Sequence, residues 1–167
     1  MKSTFPTMRK FERSVVIDAP IEAVFHFHDD PKNLLKISPP DVKVKLISAT
    51  KAGKGQRVVL DVTQFGCFTS RWEAEIVVYE PPFKMVDVLR KSPFRSWKQT
   101  RLFEKLSETQ TRLTDQVEYE LPAEAVSDFL AGWYVEREIE KMFAFRQKKT
   151  KEILEAEALN LASSFAT

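Results

Sequence analysis

Six segments that alternate apolar and polar residues follow one another between Val42 and Leu121, and this series restricts the possible folds more than any other feature. In SRWEAEIVVY, for example, apolar residues recur at every second position. Such alternation predicts strands with one buried face. The short connections between the segments favour an antiparallel meander. The earlier segment FERSVVI predicts a seventh strand near the N-terminus.

Two short helices are predicted between the first strand and the meander. Asp18 or Ala19 is the expected N-cap of the first, with Pro20 in its first turn. This helix should end near His28, and a second should form over PKNLLKI.

One long helix is predicted near the C-terminus, from about Trp133 to Asn160, where the chain has no glycine or proline. A looser segment, residues 122–132, precedes it. The apolar residues of the helix fall on one face, which can be buried only against the sheet. They are Val135, Ile139, Met142, Phe143, Ile153 and Leu154.

The composition indicates a single soluble domain. The chain has 167 residues, of which 43% are hydrophobic and 30% charged. A net charge of +2, with both signs mixed along the chain, argues against nucleic acid as a partner. Cys67 is the only cysteine, so no internal disulfide and no cysteine zinc cluster can form. Neither a signal peptide nor a membrane-spanning run is visible, and a cytoplasmic protein is expected.

Both histidines of the chain lie in one helical segment, AVFHFHDDP. His26 and His28 are two residues apart and therefore point to opposite sides of a helix, so they cannot hold one metal ion together. We expect His26 at the surface and His28 at the edge of the core. Asp29 and Asp30 are expected to end this helix and cap the next.

Three polar residues share the apolar face of two neighbouring predicted strands. Gln99 and Arg101 alternate with Trp97 and Phe103, and Asp115 lies among the apolar residues of the next strand. In a hairpin with matching apolar faces, Arg101 lies opposite Asp115, and the two are expected to form an ion pair. The same register places three further pairs opposite each other: Phe103 with Leu113, Gln99 with Val117, and Trp97 with Tyr119.

Arg146 falls near the middle of the apolar face of the long helix. It must extend to solvent, pair with a carboxylate, or face a wet cavity. Two interpretations stay open: a structural salt-bridge network, or a cavity in which Arg101 or Arg146 binds an acidic or carbonyl group of an otherwise apolar ligand. The predicted ligand-binding residues are Trp72, Trp97, Gln99, Arg101, Asp115, Tyr119, Met142, Phe143 and Arg146.

Other chemistries have little support in the sequence. It contains no glycine-rich phosphate loop, no nucleophile elbow and no metal-ligand spacing, so no metal and no cofactor are expected. Cys67 has no identifiable basic partner and is interpreted as an inert thiol. The run RQKKTKE at 146–152 is interpreted as mostly the outer face of a helix.

The order of elements, together with four segments, resembles the START-like helix-grip superfamily, specifically the polyketide cyclase/dehydrase-like (SRPBCC) proteins. The segments are VIDAPIEAVFHFHDDPKNL, SPFRSWKQTRLFEKL, TRLTDQVEYELP and MFAFRQKKT. The resemblance covers about residues 10–155. It implies one α+β domain over residues 1–167, with a core at about 10–160, in which a seven-stranded antiparallel sheet curls around the long helix and encloses a deep pocket.

The same resemblance implies what the pocket binds. Relatives bind lipids, hormones, polyketides or other hydrophobic molecules, and a minority are cyclases or dehydratases. Relatives often carry W-x-H-x-H-x-F on the sixth strand, where this chain has Gln99 and Arg101 in place of the histidines. Asp115 and Arg146 match positions where related segments carry Asp and Arg, which suggests that these two serve the fold.

We therefore expect binding or carriage of a hydrophobic small molecule, such as a lipid, a quinone or a polyketide-like compound. The first alternative is a cyclase or dehydratase, with His28 or Tyr119 as proton carrier and Arg101 polarising a carbonyl group. The second is a protein-interaction module that uses residues 122–132. A homodimer is compatible with all three.

Overall fold

The structure, a computed structural model, describes residues 8–64, 68–121 and 129–164. Seven strands and three helices make up these residues. The strands are β1 (Arg9–Ile17), β2 (Lys43–Ala49), β3 (Arg57–Gln64), β4 (Phe68–Glu80), β5 (Lys84–Lys91), β6 (Ser96–Ser107) and β7 (Gln110–Glu120). The helices are α1 (Ile21–Asp29), α2 (Pro31–Lys36) and α3 (Phe129–Ser164).

All seven strands form one antiparallel sheet in the order β1-β7-β6-β5-β4-β3-β2. Strands β2 to β7 are a meander, as the alternation predicts, and β1 pairs with β7. Together with the long C-terminal helix and the two short helices after β1, this is the α+β helix-grip arrangement. The predicted β6–β7 register is confirmed in all four pairs: Arg101 with Asp115, Phe103 with Leu113, Gln99 with Val117, and Trp97 with Tyr119.

The first short helix begins later than the sequence predicts. Its N-cap is Pro20, with an extended backbone and no capping side chain, so the prediction of Asp18 or Ala19 at the cap is wrong. The Asp18 carboxylate instead accepts a hydrogen bond from Gln110 Nε2 at 2.8 Å, which holds it away from the helix.

The junction between α1 and α2 agrees with the prediction. Asp29 is the last residue of α1, and Asp30 is the N-cap of α2. The Asp30 carboxylate accepts a hydrogen bond from the backbone N–H of Lys32 at 2.9 Å. This bond satisfies one of the N–H groups that the first turn of a helix leaves free.

The long helix starts before the predicted Trp133, because Phe129 to Gly132 are already helical; residues 122–128 of the segment predicted to be looser lie outside the described residues. Glycine inside a helix costs about 1 kcal/mol relative to alanine. At Gly132 a Cβ atom would lie 2.6 Å from Arg9 Nη2, so glycine leaves room for the arginine. Arg9 forms a salt bridge with Glu136, which joins β1 to the first turns of α3.

Helix α3 packs on the sheet through the face that the sequence predicts. Ile139, Phe143 and Leu154 are each at most 4% exposed. Val135, Met142 and Ile153 are partly buried against the same core. Within the described residues, no helix is long and apolar enough to cross a membrane.

Candidate ligand-binding site

A cavity of about 140 Å³ lies between the inner face of the sheet, the α1–α2 region and α3. Most of its wall is apolar. Strands β3 to β6 contribute aromatic and aliphatic side chains, and α2 and α3 close the remaining sides. Among the apolar lining residues are Leu34, Leu60, Trp72, Leu89, Trp97, Met142 and Phe143.

Polar side chains form part of the wall, and six of them constitute what we call the inner polar cluster. The cluster has two arginines and two aspartates, so its formal charge is zero, and two glutamines complete it. Its members are Asp87, Gln99, Arg101, Asp115, Arg146 and Gln147. Four of these, both aspartates and both glutamines, are at most 7% exposed. Polar and charged groups buried to this extent need hydrogen-bonding or ionic partners. These partners differ from one member of the cluster to the next.

Asp115 is the most completely bonded member of the cluster. Its Oδ1 accepts a hydrogen bond from Gln99 Nε2 at 2.9 Å, and its Oδ2 accepts one from Gln147 Nε2 at 2.8 Å. Gln147 Nε2 also donates to the carbonyl oxygen of Arg13 in β1 at 2.9 Å. Asp115 therefore connects β7 to β6 and α3, and Gln147 extends the connection to β1.

Arg101 pairs more closely with another carboxylate than with the predicted one. Arg101 Nη1 lies 2.9 Å from Asp87 Oδ1, whereas Arg101 Nε lies 4.0 Å from Asp115 Oδ1. The prediction of an Arg101–Asp115 ion pair is therefore wrong in its main partner. The reason is that Asp115 is already bonded to two amides, while Asp87 projects from the neighbouring strand β5. Burial raises the pKa of Asp87, and the positive charge of Arg101 opposes that rise.

Arg146 differs from Arg101 in having no salt bridge to a described residue. Within the described residues, no group accepts a hydrogen bond from its guanidinium group or forms a salt bridge with it. The guanidinium group lies over the ring of Phe143, whose centroid is 5.7 Å from Arg146 Cζ. Burial, followed by repulsion from Arg101, lowers the pKa of Arg146 to about 10, so the group stays charged at neutral pH.

The segment 146–152 is less external than the sequence suggests. Lys148 and Glu152 are exposed, as expected. Gln147 and Thr150, however, are only 3% and 1% exposed. Sequence reasoning missed Gln147, although it lies one helical turn from Phe143 and so belongs to the apolar face.

The two histidines lie where the sequence predicts. His26 is at the surface, and its Nδ1 is 2.8 Å from Asp29 Oδ2. His28 is half-buried at the cavity wall, and its Nδ1 donates to the carbonyl oxygen of Val24 at 2.8 Å. Burial, followed by repulsion from Arg101, lowers the pKa of His28 from 6.5 to about 4. The imidazole is therefore neutral at neutral pH.

The lowered pKa of His28 predicts a loss of stability in acid. The unfolded chain takes up a proton near pH 6.5 and the folded chain only near pH 4, so stability falls as the pH drops through this window. The difference corresponds to roughly 3–4 kcal/mol at about 1.4 kcal/mol per pH unit. In the variant His28→Gln, urea unfolding followed across this window should lose this part of the acid sensitivity. The matched variant His26→Gln should keep it, and equal slopes in both variants would contradict the prediction.

Of the nine predicted ligand-binding residues, eight line the cavity: Trp72, Trp97, Gln99, Arg101, Asp115, Met142, Phe143 and Arg146. Tyr119 lies elsewhere in the core, 1% exposed, with its ring centroid 5.8 Å from that of Trp97. It borders a separate groove next to Trp133. Cys67 lies outside the described residues. Whether the eight bind a ligand stays a prediction.

Sequence reasoning missed Asp87 as well as Gln147. In KMVDVLR, Asp87 lies two residues from both Met85 and Leu89. The two-residue period of a strand therefore places it on the same inner face as these apolar residues. No group of three or more metal-ligating His, Cys, Asp or Glu side chains occurs in the part of the chain that the structure describes.

These features define a class of protein: a helix-grip domain with a mostly apolar cavity and buried charges in its wall. The sequence matches the family described as polyketide cyclase / dehydrase and lipid transport over residues 8–147. This match covers most of the chain, and the chain belongs to that family. The superfamily resemblance noted in the sequence is thereby confirmed. No curated protein matches the chain.

Solved structures share the fold at low sequence identity. A norcoclaurine synthase point mutant from Thalictrum flavum, in complex with a transition-state analogue, is 14% identical with a TM-score of 0.69; the alignment covers 93% of this chain and 99% of that one. The ZhuI aromatase/cyclase from a Streptomyces species is 18% identical with a TM-score of 0.73, covering 91% and 96%. At such identities the likeness establishes the fold alone.

Proposed function

We propose that the protein binds or carries a compact hydrophobic small molecule in the cavity between the sheet and α3. The observation that carries this proposal is a mostly apolar cavity with several polar groups in its wall, a combination typical of ligand sites. The apolar part of the ligand would contact Trp72, Trp97, Met142 and Phe143. Its polar group would meet the inner polar cluster.

The size of the cavity restricts the ligand. A cavity of about 150 Å³ in another protein holds one benzene molecule, and the volume here is about 140 Å³. A single ring or a short branched chain therefore fits the cavity as it stands. A lipid, a quinone with a long tail or a polyketide is larger than this volume and would have to extend out of the cavity or displace its wall.

Catalysis of a cyclase or dehydratase reaction is the second candidate, and family membership favours it. His28 lines the cavity and is the proton carrier nearest to the apolar wall. With a pKa of about 4 it is a weak base at neutral pH, and general bases act best when their pKa is close to the working pH. Arg101 is already paired with Asp87 and is less free to polarise a carbonyl group. Binding is therefore the better supported function.

The experiment that tests this proposal is native mass spectrometry of the protein purified from its own host, followed by extraction and identification of any bound compound. We expect one small hydrophobic molecule per chain. A protein that is empty and also ignores a panel of single-ring hydrophobic compounds would refute the proposal. With the compound identified, His28→Gln separates the two roles, because a carrier keeps its affinity and an enzyme that uses His28 loses turnover.

A further inference from the structure

We propose that the polar group of the ligand is a carboxylate and that Arg146 is its counter-ion. The ligand would then be a compact monocarboxylic acid with about one ring. This inference rests on the proposed function and specifies the chemical class of the ligand.

The first observation is that Arg146 has unused hydrogen-bonding capacity at the cavity. A guanidinium group has five N–H donors in a planar fork, which matches the two oxygens of a carboxylate. Arg146 lines the cavity, and no described residue accepts a hydrogen bond from it. Its Nε is fully enclosed without a partner. Buried arginines are normally paired, so this side chain lacks an anion.

The second observation is that neither aspartate of the cluster forms a salt bridge with Arg146. Asp87 Oδ1 forms its salt bridge with Arg101 Nη1, at 2.9 Å, and has no described hydrogen-bond partner; Asp115 accepts hydrogen bonds from two glutamine amides. Among the described residues, no carboxylate therefore lies within salt-bridge distance of Arg146.

The third observation is the electrostatic environment of Arg146. The strongest single charge that acts on it is the repulsive charge of Arg101, ahead of the attraction from Asp115 and Asp87. A ligand carboxylate would neutralise Arg146 and reduce this repulsion. A neutral carbonyl group would accept a hydrogen bond but leave the charge uncompensated. A dianion such as a phosphate monoester would meet added repulsion from the two aspartates, so the charge of the ligand should be a single negative one.

The test compares acids and amides of the same shape. Isothermal titration at neutral pH would measure the binding of benzoate and phenylacetate against benzamide and phenylacetamide. We expect each acid to bind at least about tenfold more tightly than its amide, since a hydrogen bond to a charged group contributes more than a neutral one. In Arg146→Met the acids should lose at least about tenfold in affinity, while the amides change little. Arg146→Lys should fall between, because it keeps the charge and loses the fork.

Two controls separate folding from binding. Lys148→Met removes an exposed charge two residues away on α3 and should leave all four affinities unchanged. Thermal unfolding of each variant identifies any that fails to fold; the acid–amide comparison in the unmodified protein then still tests the inference. Amides that bind as tightly as acids would overturn the carboxylate assignment and leave the proposed function intact. A protein that binds none of the four compounds would overturn the carboxylate assignment; the proposed function falls with it only if protein from its own host is also empty and ignores the single-ring hydrophobic panel.

Discussion

Replacing Asp115 with alanine is expected to lower the free energy of unfolding by roughly 3–5 kcal/mol, the cost of breaking a buried charged network. The residue is 5% exposed, and its two oxygens accept hydrogen bonds from Gln99 and Gln147. In the variant the Gln99 amide loses its acceptor, and Gln147 Nε2 keeps only its bond to the Arg13 carbonyl oxygen. The two arginines of the cluster lose half of the negative charge near them. Urea denaturation monitored by circular dichroism measures the effect. Because a typical domain is stable by only about 5–15 kcal/mol, this is a large fraction of the total.

A matched control is Asp61→Ala on the same sheet. Asp61 binds Arg71 through two hydrogen bonds, at 2.8 Å and 3.0 Å, but this pair lies at the surface. Exposed ion pairs contribute less than about 1 kcal/mol, so this variant should unfold nearly like the original protein. Asp115→Asn keeps one acceptor oxygen and should fall between the two alanine variants. Equal losses at positions 61 and 115 would mean that water enters the cluster and replaces the carboxylate.

The different partners of Asp115 and Arg146 suggest a division of roles within the cluster. Asp115 and the Gln147 amide nitrogen bond within the protein and connect β1, β6, β7 and α3. Arg101 forms a salt bridge with Asp87. Arg146 has neither a salt bridge nor a described hydrogen-bonding partner, whereas each of the other five members has at least one of the two. Five members therefore hold the fold together, and we assign the sixth to the ligand.

The fold could be predicted from the sequence because its signals are local and repeated. Period-two alternation identified the strands, and matching the apolar faces of β6 and β7 fixed their register to the residue. The predicted start of α1 was less accurate, because the Asp18 side chain bonds to Gln110, 92 positions away in the sequence, and not to the helix. Such a contact leaves no trace in the local pattern.

The site was harder to predict because its pairing depends on three strands and a helix at once. Alternation shows that Arg101 and Asp115 face the same side, but it cannot rank Asp115 against Asp87 as partner. That choice depends on which carboxylate is already occupied by amides, and one of those amides belongs to Gln147 on α3. Cavity size is equally inaccessible, because it is a small difference between the volumes of many packed side chains.

Phe143 is the apolar residue at which stability and ligand size should change together. It is 1% exposed, it lines the cavity, and its ring centroid lies 5.3 Å from that of Phe11. Phe143→Ala should lower the free energy of unfolding by roughly 3–5 kcal/mol, because the lost contacts leave a void that the neighbours fill only in part. Thermal unfolding should shift down by about 6–20 °C, at roughly 2–4 °C per kcal/mol for a chain of this size. Trp133→Ala on the same helix is the matched control; Trp133 is 52% exposed and contacts Arg137, and its loss should cost less than about 1 kcal/mol.

The void left in Phe143→Ala should also change which ligands fit. The unmodified cavity of about 140 Å³ is expected to accept toluene and to exclude naphthalene. Removing one ring from the wall should reverse the exclusion, so naphthalene should bind to Phe143→Ala and not to Trp133→Ala, as measured by calorimetry. Both probes are neutral, and the result is therefore independent of Arg146. Naphthalene binding by the unmodified protein would mean that the wall moves to admit larger ligands, and the size restriction on the natural ligand would have to be given up. A destabilised Phe143→Ala that still excludes naphthalene would mean that the core collapses into the void, and that residues other than Phe143 limit the size of the ligand.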